Sequence, residues 1–182
     1  MLRNPSEKPN PSERPTHSWY ALTVRPASEK SVALSLGARG VAVFSPVYTT
    51  KRLSSDRSRD IEVPLFPGYV FCVLEPSTRL SSIAVDGVTG LGGAQKKPPA
   101  LVDQRELRSI RILAGVGLPL EPWPYLSQAA NVQIVNTALH HVSGILIAPG
   151  KLVVSLSLLQ RSMIADLRGE NGIEIAAFAP AR

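Results

Sequence analysis

Short apolar runs alternate with polar punctuation along this chain, and their spacing separates two kinds of region. Trp19–Arg25 reads as a strand stopped by Pro26. Ser28–Arg39 reads as a helix, with Val32, Ala33 and Leu36 as its apolar stripe, Glu29 at the positive end and Gly40 as the stop. Val41–Tyr48 is extended and interrupted by Pro46; Lys51–Arg59 is a polar, basic loop; Ile61–Val63 begins the return. Residues 64–71, Pro-Leu-Phe-Pro-Gly-Tyr-Val-Phe, are the most informative stretch. Proline fixes one backbone angle and glycine frees the next residue, so the chain can turn sharply at Pro67-Gly68 into a buried strand, Tyr69–Leu74. A short helix is expected over about Thr78–Val85. Asp103–Ala114 is the best-marked helix: Asp103 caps it, Glu106 completes a capping box, and Val102 with Leu107 form a hydrophobic staple.

This order predicts an α+β sandwich over residues 18–115, an antiparallel sheet carrying helices. Glycines and prolines crowd Gly115–Pro124, and residues 116–127 read as a linker. The character then changes. Val132–Val135, Val142–Ile147, Leu152–Leu156, Ser162–Ala165 and Ile173–Ile175 are short β-type runs, so residues 128–182 read as a small five-stranded β-barrel. Residues 1–17 hold four prolines among polar groups and are expected to be disordered.

Composition narrows the function. The chain has 182 residues, 44% of them hydrophobic, with no apolar run long enough to span a bilayer. The N-terminus lacks the apolar segment of a secretory signal. One cysteine, Cys72, excludes an internal disulfide and suits a reducing, cytoplasmic setting. The net charge of +6 is uneven: residues 18–115 hold thirteen Lys and Arg against eight Asp and Glu, residues 128–182 four against three. The first region is therefore the one expected to face a polyanion.

Catalytic chemistry finds no foothold. His140-His141 has no acidic or cysteine partner nearby and reads as an exposed hairpin turn rather than a metal site. Ser155, Ser157 and Ser162 lack a nucleophile elbow, and Gly90–Gly93 lacks the lysine and spacing of a phosphate cradle. No cofactor and no metal are expected.

Three elements together resemble the N-terminal domain of the NusG family of transcription elongation factors: Trp19-Tyr20 on the first strand, Phe44-Ser45-Pro46, and Pro64–Phe71. Asp86-Gly87-Val88, then Pro98-Pro99 and the capped helix, continue the likeness. Leu152–Ser155 and Leu158–Ser162 resemble the C-terminal KOW barrel of specialised NusG paralogs. The resemblance spans about residues 18–177. It implies an elongation or antitermination factor that docks on the clamp helices of the largest RNA polymerase subunit and suppresses pausing or termination; nothing in the sequence calls for more than a monomer. It implies Tyr20, Phe66, Tyr69 and Phe71 as polymerase contacts. Arg25, Lys30, Lys51, Arg52, Arg57 and Arg59 lie where paralogs approach upstream or non-template DNA. Asp86 departs from paralogs that carry a basic residue there. Ala129, Thr137 and His141 stand where the KOW motif expects glycine, and Gly144 remains. These departures bring into question the usual barrel partners, a termination factor or a small-subunit ribosomal protein. Two rival readings stand beside this one: an RNA- or ribosome-binding KOW module, which the barrel's low charge disfavours, and an enzyme, for which no convergent polar site can be assembled.

Overall fold

The computed structural model describes residues 18–54, 57–74, 84–92, 101–127, 131–135, 138–170 and 172–178. The expected disordered tail and most of the expected helix at Thr78–Val85 lie outside the described residues. Among the described residues no helix is long and apolar enough to cross a membrane.

The first region is built on a four-stranded antiparallel sheet. Its strands are β1 (Ser18–Val24), β2 (Val43–Phe44), β5 (Tyr69–Leu74) and β6 (Val88–Leu91), in the order β2-β5-β1-β6. The central pair, β1 and β5, is buried on both faces because both parities of its side chains are apolar. Tyr20, Leu22, Val24, Val70, Cys72 and Leu74 pack on one face with Val32 and Leu36 of α1 (Glu29–Ala38). Burial pushes the Cys72 thiol up to about 12, which marks it as an inert core group. Ala21 and Phe71 face the other way, toward Leu107, Ile110 and Leu113 of α2 (Gln104–Gly115).

The Pro67-Gly68 bend is as its residues require. Gly68 has φ +85°, Tyr69 N donates to Phe66 O at 3.1 Å, and Gly68 N donates to the buried Glu29 carboxylate at 2.8 Å. Glu29 thus ties the bend to the first turn of α1.

Two expectations are corrected. Lys51–Arg59 is not a loop but the distal half of a free-standing two-stranded ribbon, β3 (Val47–Ser54) paired with β4 (Arg57–Pro64). The expected linker supplies a strand, β7 (Leu120–Trp123), which pairs with β11 (Arg161–Asp166). Its Pro122 is tolerated because β7 is an edge strand, where a missing N–H costs no ladder bond.

The second region contains four of the five expected strands, β7 as an additional one, and a last strand at Ile175–Phe178 that shares only Ile175 with the expected Ile173–Ile175. β8 (Asn131–Ile134), β9 (Ser143–Ala148), β10 (Lys151–Leu156), β11 and β12 (Ile175–Phe178) join β7 in the order β12-β8-β9-β10-β11-β7. The segment after β7 is strapped across the sheet: Leu126 N donates to Ser162 Oγ, and Ser155 Oγ donates to Leu126 O. His140 and His141 lie in an exposed turn. Among the described residues no cluster of three or more His, Cys, Asp or Glu could hold a metal ion. The two regions share one apolar core, in which Phe66, Phe71 and the α2 leucines are continuous with Ile134, Leu139, Leu152, Val154 and Met163.

Candidate functional site

Strand parity sorts the aromatic candidates. Tyr20 pairs with Cys72 and lies on the α1 face, 4% exposed. It is therefore separated from Phe71, which pairs with Ala21. The aromatic of β1 that shares the α2 face is Trp19, half-buried under the Arg111 guanidinium at 4.9 Å. Phe66 and Phe71 meet edge to face with centroids 5.7 Å apart, and Phe44 lies 6.2 Å from Phe71. Both Phe66 and Phe71 are fully buried and support the face from beneath. Tyr69 is half-buried, with the guanidinium of Arg161 from β11 over its ring at 5.6 Å.

The second region holds this same face through α2. Asp103 caps the helix, its carboxylate accepting from Arg105 N at 2.7 Å and Glu106 N at 3.3 Å. The Glu106 carboxylate crosses to the other region, accepting from Ser157 N at 3.0 Å and Ser157 Oγ at 2.5 Å. Burial raises the Glu106 carboxyl above the usual carboxylate range, and the Ser157 bonds oppose that rise. Ser109, fully buried on α2, accepts from Ser143 N at 3.0 Å. A capping-box pattern announces Glu106 in sequence, but its partner stands 51 residues away, where no local pattern can reveal it.

The cationic candidates fall into two groups. On the ribbon, Lys51 is opposite Asp60, whereas Arg52 is directly opposite Arg59, and Ser54 is opposite Arg57. Lys51, Arg52 and Arg59 are exposed. Like charges facing across a strand pair destabilise it, so the Arg52–Arg59 pair marks a place where local stability yields to another requirement. At the foot of α1, Lys30 is exposed and Arg25 forms an ion pair with Asp86. Between the groups runs a mainly apolar groove of about 1330 Å³, with Lys30, Leu34, Val47, Glu62 and Val63 among its lining residues.

The glycine pattern of the barrel has a geometric account at two positions, one exchanged and one retained. His141 holds φ +73°, the left-handed conformation in which glycine is at ease, so the exchange is accommodated with backbone strain. At Gly144 a Cβ would stand 2.5 Å from Val153 O and 3.1 Å from the Leu152 side chain, which leaves room for glycine alone.

A comparison with curated proteins finds no match. A solved structure described as domain interaction in Thermotoga maritima NusG is 20% identical, covers 82% of this chain and 92% of its own, and superposes with a TM-score of 0.41. The family described as transcription termination factor nusG matches residues 17–111, more than half of the length, and the chain accordingly belongs to the NusG family of transcription elongation and termination factors.

Proposed function

We propose that this protein is a specialised NusG paralog that docks on the clamp helices of the largest RNA polymerase subunit through the α2 face of its first sheet, and that docking suppresses pausing or termination. The observation that carries the reading is the aromatic set on that face, Trp19 and Tyr69 over a bed of Phe66 and Phe71. Rigid aromatic side chains anchor interfaces at low entropic cost. By preferring the elongating conformation, such a factor shifts the polymerase population toward it. Arg52 and Arg59 on the ribbon, with Arg57, Lys51, Lys30 and Arg25, would contact phosphates of upstream or non-template DNA. The C-terminal region would engage a further partner, a ribosomal protein or termination factor.

Because Arg161 covers Tyr69 and Ser157 and Ser143 are bonded to α2, docking competes with closure of the second region. Residues 116–119 alone separate α2 from β7, a reach of about 14 Å when extended, enough to swing the region aside without unpairing β7. Apparent affinity scales with the fraction of open protein. The variant Arg161→Ala/Ser157→Ala, lacking two closing contacts, is expected to bind polymerase about three- to tenfold more tightly than the wild type. Equal affinity of the two would remove closure from the account.

A further inference from the structure

We propose that Asp86 is a built-in counterion that occupies Arg25 and thereby sets how tightly the α1 side of the protein takes up nucleic-acid phosphate. The inference rests on the DNA contact proposed above and adds a residue that limits it. Arg25 follows the end of β1, and its N–H donates to Gly87 O at 2.8 Å. The adjacent residue, Asp86, is thereby fixed opposite Arg25, and their side chains form an ion pair. The carbonyl of Arg25 accepts from Ser28 N at 3.0 Å, so the position is tied on its other side to the entry into α1. The backbone thus presents the two charges to each other without relying on a chance meeting of long side chains.

The pair is open to solvent: the Asp86 side chain is 96% exposed and that of Arg25 57%. An exposed pair in high dielectric is weak and exchangeable. A phosphate offers the guanidinium the same two-oxygen geometry as a carboxylate, so it can take the place of Asp86. Arg52 and Arg59 on the ribbon make no such ion pair among the described residues. Arg25 is thus a cation whose phosphate contact is held back by a neighbour, and Asp86 keeps DNA association dependent on additional contacts.

The test is binding of the full chain to a fluorescein-labelled single-stranded oligothymidine of roughly 20 nucleotides, read by anisotropy over a salt series. Asp86→Asn, which keeps a turn-forming residue, is expected to tighten binding about three- to tenfold at low salt. It should also steepen the slope of log K against log salt by about 0.7, the value for one more phosphate contact on a single strand. In an Arg25→Ala background the same exchange should have no effect. Glu121→Gln, which removes one negative charge from β7, a strand paired with β11 in the second region, serves as the charge control and should leave affinity within about twofold. Circular dichroism establishes that each variant is folded. Wild-type binding that Asp86→Asn leaves unchanged in both affinity and slope would overturn the counterion role while leaving the DNA contact standing. Tightening that persists without Arg25 would also overturn it. Failure of both the wild type and Asp86→Asn to bind at low salt would overturn the DNA contact itself.

Discussion

Phe66→Ala is expected to lower the free energy of unfolding by about 3–5 kcal/mol, the range for deleting a buried phenyl ring. Phe66 is 1% exposed and stacks edge to face on Phe71. Its carbonyl accepts from Tyr69 N across the Pro67-Gly68 bend, so the cavity would open beside the turn that aims β5. Few groups could relax into the space, because Leu65 and Phe71 are themselves fully buried. Native stabilities are typically 5–15 kcal/mol, so a large fraction would be lost. Urea unfolding followed by circular dichroism measures the change. A loss below about 1 kcal/mol would show that the ring is not a core group. The point bears on function: lost polymerase binding in a Phe66 variant would mix unfolding with contact, whereas half-exposed Tyr69 can be changed with the core intact.

Gly144→Ala is expected to destabilise the protein by about 3 kcal/mol, at the upper end of overpacking effects. The obstacle is Val153 O, a backbone atom of the neighbouring strand, at 2.5 Å from the added Cβ. A side chain could rotate away, but this carbonyl cannot move far without disturbing the β9–β10 ladder, where Val153 is paired with Ile145. The same unfolding measurement checks it, with His141→Gly as the matched control. There the backbone already holds a positive φ, so glycine should be accepted without loss. Stability equal to the wild type in Gly144→Ala would mean that β9 and β10 are not so closely apposed.

What was legible in the sequence was what burial writes into it. Tyr69–Leu74 is fully apolar because β5 is covered on both faces, and the ends of the apolar run are the ends of the strand. Asp103 announced the start of α2 because a cap is a local hydrogen bond. The ribbon is not legible in the sequence for the converse reason: it joins no larger sheet, and its residues 49–52 and 58–60 are polar or charged and carry no alternation of apolar residues. β7 was hidden by prolines that an edge strand accepts. Val41–Tyr48 reads as one interrupted segment, whereas Pro46 separates β2 from the start of β3. Among the candidate residues, alternation already placed Trp19 and Tyr20 on opposite faces. Which of them joined Phe71 depended on the β1–β5 register, which no single strand specifies. The contacts of Glu106 with Ser157 and of Arg161 with Tyr69 were beyond reach, since each joins separate regions of the chain.

The most direct test is the affinity of the purified chain for RNA polymerase elongation complexes, measured beside a Tyr69→Ala variant whose fold is verified by circular dichroism. Saturable binding by the wild type and about tenfold or weaker binding by the folded variant are predicted, as for an aromatic anchor at an interface. Absence of binding by the folded wild type, or equal binding by Tyr69→Ala, would contradict docking through this face.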